Sequence, residues 1–259
     1  MSDSKEMVII LTGASRGIGL TIAHYLLSQP ANHKLVLTAR TSSALHELQT
    51  KYGSSRVEIV TGDAADPRIA SDLVRVATSR FGRLDGLIIN HGSLDPVKKI
   101  ADSTPDEWRA AYDINVFSAV GMVQAALPEL RKTRGRIVIT SSGAATGAYQ
   151  GWAAYGSGKA VLNHLASTLA VEEPDVTTLS IRPGVVDTEM QRAIREEHVQ
   201  SMSARDQEKF HGLHREGKLV RPEQPGGVIA NLALRGEKEL SGRFLSWDDE
   251  ALKTYRTDL

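Results

Sequence analysis

Met7-Val-Ile-Ile-Leu11 is a short, uninterrupted apolar run that leads directly into Gly13, Gly17 and Gly19. Such a run suits a strand buried on both faces of a parallel sheet. The stretch from Ile18 to Leu27 then carries an apolar stripe through Ile18, Ile22 and Leu26, the spacing of a helix that packs back on that sheet. Strand, glycine turn and helix in this order aim backbone N–H groups and the positive end of a helix at one point, an arrangement that holds a pyrophosphate. An ordinary tight turn would use the glycines only for left-handed backbone angles. The flanking strand and helix favour the phosphate cradle.

Apolar runs recur at residues 34–39, 57–61, 86–90, 135–140 and 176–181, separated by stretches with helical spacing, and a last strand is expected near Gly242–Ser246. Repeated βα units predict one α/β domain over residues 1–259: a single-domain, Rossmann-type, doubly wound parallel sheet of about seven strands with helices on both faces. A chain of 259 residues, 41% hydrophobic, can bury the core such a domain needs. The 31 basic residues balance 31 acidic ones, so no long-range field favours nucleic acid or an anionic membrane. The absence of cysteine removes disulfides, thiolate metal sites and cysteine nucleophiles together. His211 and His214 are the only close histidine pair and have no third ligand beside them, so no metal is expected. The first strand begins by Met7, leaving no room for a secretory leader, and no apolar run approaches the roughly 18 residues of a membrane span. A soluble, cytoplasmic protein is expected.

Tyr155 and Lys159 are four residues apart, which stacks their side chains on one helix face. A fixed ammonium beside a phenol favours the phenolate and brings a pKa of about 10 toward the range useful for proton exchange. Ser142 follows the strand-like run Arg136–Thr140, at the carboxyl end of a central strand, where open α/β sheets hold their ligands. Its hydroxyl can bond the oxygen that trades a proton with Tyr155. A Tyr-x-x-x-Lys pair alone is common on solvated helices; here it keeps company with the glycine turn.

The turn reads Gly-x-x-x-Gly-x-Gly instead of the usual dinucleotide spacing. Together with Tyr155/Lys159, Ser142, Asn90-His-Gly92, Asn115 and Pro183-Gly184, it resembles the short-chain dehydrogenase/reductase family, and the resemblance runs from Val8 to about Leu245. Gly92–Val97, Gly151–Tyr155 and Pro183–Met190 look most like the benzil reductase and sepiapterin reductase branch. The resemblance implies an NADPH-dependent reductase of ketones or aromatic vicinal diketones. In it Tyr155 donates the proton, Ser142 positions the carbonyl, Lys159 lowers the phenol pKa and binds ribose, and Asn115 disturbs its helix and holds a relay water. A hydrogen bond to neighbouring backbone is the other reading of Asn115. Gly13, Ser15, Arg16, Gly17, Ile18 and Gly19 would hold the phosphates, and Asn90 and Gly92 the adenosine side. Pro183, Gly184, Val186 and Thr188 would hold the carboxamide end. A sepiapterin-type ketone reductase and a non-catalytic NADP(H)-sensing protein are the alternatives.

An NAD enzyme of this architecture needs a carboxylate after the second strand, but Leu35–Ala39 is followed by Arg40 and no acid occurs until Glu47. Arg40, with Arg16 as a second cation, suits a 2′-phosphate and so NADP(H). Asp63 falls where similar enzymes contact adenine and also suits a turn. Ile114–Leu127 contains no charge, and the Tyr155 helix has a second low-charge strip through Ala154, Val161, Leu165 and Thr168. Pairing into a homodimer, or a tetramer, explains both strips, and burial inside one chain is the alternative. The segment 188–219 is expected to form one or two helices over the cleft. Tyr149, Trp152 and Met190, with Ser142, are the expected substrate contacts, although core packing would use the same apolar residues. Two positions depart from the family: His91 stands where alanine is usual, and Gly158 where serine is common.

Overall fold

The computed structural model describes residues 5–257; the ends of the expected 1–259 domain, residues 1–4 and 258–259, lie outside the described residues. β1 (Val8–Thr12), β2 (Lys34–Thr38), β3 (Val57–Ile59), β4 (Gly86–Ile89), β5 (Arg136–Thr140), β6 (Thr177–Arg182) and β7 (Phe244–Ser246) form one seven-stranded sheet in the order β3-β2-β1-β4-β5-β6-β7. Every pairing is parallel. Strand order reverses beside β1, which pairs with both β2 and β4. A crevice therefore opens above the carboxyl ends of these strands, where the crossovers leave in opposite directions.

The near-continuous apolar strands are explained by burial on both faces. Successive residues of a strand point to opposite sides. Ile9 and Leu11 accordingly join one core with α1 (Gly17–Ser28) and α2 (Ser43–Tyr52), while Val8 and Ile10 join another with α3 (Pro67–Phe81). After α4 (Pro105–Tyr112), a π turn at Asp113–Phe117 runs into α5 (Ser118–Thr133), and α6 (Ala153–Glu172) packs against α4 and the π turn. The expected segment over the cleft folds as α7 (Glu189–Glu196), a short 3-10 turn and α8 (Ala204–Arg215), before α9 (Glu223–Arg235) covers the first core.

Pro105–Thr133 is one continuous helical stretch of 29 residues, long and apolar enough by length and composition to pass for a membrane span. No unbroken apolar run exists there, and only the fusion of α4, the π turn and α5 creates the length. Ala119, Met122, Val123, Ala126 and Leu130 on this stretch are buried in the second core, as a core helix of a globular domain requires. The low-charge strip of α6 is also mostly accounted for inside the chain: Ala154 is buried and Leu165 packs against the core. Phe117 and Val161 stay exposed, at 59% and 38%.

Candidate active site

A cleft of about 510 Å³ lies above the strand ends. It is lined by Gly13, Ser15, Arg16, Gly17 and Ile18 of the turn, by Tyr155 and Lys159, and by Pro183, Thr188 and Met190. The turn has no room for side chains. At Gly13, where φ is +65°, an added Cβ would stand 2.9 Å from the His91 Cα; at Gly19 it would stand 2.1 Å from the Gly13 carbonyl oxygen. The first glycine lets the backbone turn, and the last lets α1 start directly under it. Asn90 ties the strand ends together: its backbone N–H donates to Thr12 Oγ1 at 2.9 Å, its amide to the Gly13 carbonyl at 3.3 Å, and its Oδ1 accepts from the Thr140 hydroxyl at 3.1 Å.

Arg40 and Asp63 both line the cleft, as do Asn90 and Gly92. Arg40 is exposed and engaged by no carboxylate among the described residues. Asp63 also accepts from the Ala65 backbone N–H at 3.0 Å, so its turn role and its position on the cleft coexist. Gly19, Gly184 and Val186 do not line the cleft but shape it from behind. Gly184 has a φ of +82° beside Trp247, and Val186 bridges to Val220. The close-approach turn, the exposed Arg40 and the buried Tyr155/Lys159 pair share one cleft, and together they fit an extended dinucleotide.

Tyr155 and Lys159 are buried on α6, with the ammonium 5.8 Å from the phenol ring centroid. Ser142 acts on the Tyr155 hydroxyl, whose pKa it lowers, and accepts from the Ala144 backbone N–H at 3.1 Å. Against the depression expected from Lys159, the net shift of the phenol is upward. Burial raises the Tyr155 pKa above its ordinary value, and Ser142 offsets part of that rise. Lys159 instead donates to the Thr140 carbonyl at 2.8 Å, and burial pushes its own pKa down to about 8.

Asn115 is buried in the π turn, where regular α-helical geometry gives way as expected while the helix continues. Its amide is occupied by backbone: Oδ1 accepts from Ser93 N–H at 3.0 Å, and Nδ2 donates to the carbonyls of Ser93 at 2.9 Å and Ala111 at 3.0 Å. The backbone-bonding reading of Asn115 therefore describes its side chain. The loop it clamps runs along Lys159: a Cβ at Gly92 would stand 2.9 Å from Asn115 Oδ1 and 3.5 Å from Lys159 Nζ.

Of the expected substrate contacts, only Met190 lines the cleft. Tyr149 and Trp152 belong to an apolar cluster with Phe210 of α8. Trp152 lies 4.7 Å from Tyr149 and 5.5 Å from Phe210 between ring centroids, and edge-on to Tyr155 at 6.1 Å. Core packing thus claims those two aromatics, while Ser93 and Ile114 line the cleft without having been singled out from sequence. Lys209, also missed, donates to the Tyr149 hydroxyl at 2.7 Å.

With this geometry in hand, likeness to known proteins has a definite meaning. The family described as short chain dehydrogenase matches residues 7–199. A benzil reductase ((S)-benzoin forming) of Saccharomyces cerevisiae is 39% identical over 255 residues, covering 95% of this chain and 97% of that protein. The crystal structure of a short chain dehydrogenase/reductase from the same yeast superposes with a TM-score of 0.94 at 41% identity, over 97% of this chain and all of that one. L-sorbose reductase from Gluconobacter frateurii, solved with NADPH and L-sorbose, superposes with a TM-score of 0.81 at 26% identity, over 96% and 97% of the two chains.

Proposed function

The chain belongs to the short-chain dehydrogenase/reductase family, and from that premise we propose that it is an NADPH-dependent carbonyl reductase whose substrates are ketones of the aromatic vicinal diketone class, benzil being the type compound. The observation that carries the reading is the buried Tyr155/Lys159 pair, with the half-buried Ser142 beside the Tyr155 hydroxyl, on a cleft that is also lined by the glycine turn and the exposed Arg16 and Arg40. The nicotinamide supplies a hydride when bound. The protein's part is to place the carbonyl oxygen between the Ser142 and Tyr155 hydroxyls, so that Ser142 orients it and Tyr155 gives it a proton.

Burial keeps Tyr155 protonated and able to act as that acid at neutral pH. Lys159, charged within the same enclosure, favours the phenolate left behind. Arg40 and Arg16 pair with a 2′-phosphate through forked, permanently charged guanidinium groups, which favours NADPH over NADH. Likeness to a benzil reductase supports the diketone, and the cleft's apolar contributions from Ile114 and Met190 suit a flat apolar group. The reading extends to a cytosolic homodimer joined through the α5 and α6 faces, supported by the exposed Phe117 and Val161.

Initial rates of NADPH oxidation with benzil, matched diketones, simple ketones, sepiapterin and a steroid ketone test this. Benzil and its analogues are expected to be turned over at least tenfold faster, by kcat/KM, than aliphatic ketones. Inert diketones beside an active steroid or aliphatic ketone would contradict the substrate class. A silent panel with tight NADPH binding would contradict the enzyme.

A further inference from the structure

His91 sits between the glycine turn and the π turn with both ring nitrogens engaged. Nδ1 is 2.7 Å from the Thr12 hydroxyl, and Nε2 is 2.8 Å from the Ser118 hydroxyl. The partners fix the tautomer. Ser118 donates its proton to the Ile114 carbonyl at 2.6 Å and so accepts from an Nε2–H. Thr12 Oγ1 accepts from the backbone N–H groups of Asn90 and His91, and its proton goes to Nδ1 at 2.7 Å in preference to the Ile88 carbonyl at 3.3 Å. The ring is therefore neutral and fully satisfied, and it joins the end of β1 to the start of α5 through a chain of aligned hydrogen bonds.

The segment after β4 is consequently stitched to the helix beside it twice, by His91 to Ser118 at the start of α5 and by Asn115 of the π turn to both backbone groups of Ser93. Gly92 lies between these stitches, facing Lys159 Nζ. We propose that His91 is a positioning residue: its neutral ring holds the Gly92–Ser93 loop and Asn115 against Lys159, and ties that assembly to the turn that receives the cofactor phosphates. A proton on Nδ1 would break the Thr12 link and set a second cation near Lys159. The groups acting on the ring are Lys159 from α6, which opposes that proton, and the Ile114 backbone and Asp63 beyond β3, which favour it. Burial is the largest influence, and with Lys159 it lowers the pKa from 6.5 to about 4. As pH falls, the unfolded chain takes up this proton first. The stability His91 contributes is complete above about 6.5 and is lost between there and about 4.

His91→Gln and His91→Ala test the proposal, with Ser118→Ala as a milder cut of the same chain. A glutamine amide presents an acceptor and a donor on adjacent atoms and can span the same two hydroxyls; alanine spans nothing. The part of the proposal that concerns Lys159 as a catalytic group rests on the carbonyl reductase reading, so NADPH affinity is measured separately by fluorescence titration. His91→Ala is expected to weaken NADPH binding at least fivefold, and glutamine to restore it to within twofold. With benzil at saturating NADPH, alanine should lower kcat at least tenfold and move the alkaline limb of its pH profile upward by half a unit or more, because a displaced Lys159 supports the phenolate less well. Ser118→Ala should shift both readouts in the same direction, and the double variant should be no worse than His91→Ala. Melting temperature should fall less between pH 6.5 and 4 in His91→Gln than in the unaltered protein. Unchanged NADPH affinity in a folded His91→Ala, or a folded glutamine variant no better than alanine, overturns the proposal. Absence of benzil turnover in the unaltered protein would count against the reductase reading, while the affinity measurement still decides on His91.

Discussion

Replacing Tyr155 with phenylalanine is expected to lower kcat for benzil by about a thousandfold or more, at the strong end of what a general acid contributes, while leaving NADPH affinity within about threefold. The asymmetry follows from what one oxygen atom does. Ser142 can still orient a carbonyl, but the Lys159 ammonium is committed to the Thr140 carbonyl, so the hydroxyl removed is the acid beside the substrate oxygen. The ring itself remains as packing within its apolar cluster. NADPH oxidation and a fluorescence titration on the same preparation separate the two effects. Retained turnover would remove Tyr155 from the mechanism.

Arg40→Asp is expected to weaken NADPH binding by about a hundredfold. A charge-assisted hydrogen bond contributes about 1.5–3 kcal/mol, and the introduced carboxylate adds repulsion against a 2′-phosphate. NADH should bind no worse and can improve, since aspartate accepts from a ribose hydroxyl. Arg40 is exposed on the cleft, so the substitution leaves the core untouched. The ratio of NADPH to NADH dissociation constants is the measurement; an unchanged ratio would show that the end of β2 does not meet the ribose.

The parts of this fold legible from sequence are those in which a local pattern has one physical solution. The apolar runs around Ile9, Val36 and Ile88 read as two-sided strands because their alternate residues feed different cores. Gly13 and Gly19 read as a phosphate turn because strand and helix flank them, and the distances to His91 Cα and the Gly13 carbonyl show why other residues are excluded. Tyr155 and Lys159 meet on α6 because helical spacing alone puts them there. The family resemblance implies a helix disturbance at Asn115, and the π turn occupies that position.

What sequence left open depends on contacts between distant segments. The phenol's pKa follows from burial, which no i,i+4 spacing reports, and Lys159 turns to Thr140, 19 residues away. Tyr149 and Trp152 were read as cleft residues, but Phe210 arrives from α8 to stack on Trp152 and makes a closed cluster. Segment 188–219 showed its apolar residues without showing which faces inward. His91 was conspicuous only as a large residue in a place for a small one; its partners Thr12 and Ser118 lie 79 and 27 residues away.

Transfer of deuterium from NADPH labelled at the reactive C4 position to benzil is the measurement that bears most directly on the central claim. The product, analysed by mass spectrometry and chiral chromatography, is expected to be one enantiomer of benzoin in excess, with a single deuterium on the carbinol carbon. The carbinol hydroxyl should carry a proton from solvent by way of Tyr155, and no labelled product should form with the Tyr155→Phe protein. Benzoin without the label, or NADPH that binds and is never oxidised by any diketone, would contradict the assignment of this cleft to carbonyl reduction.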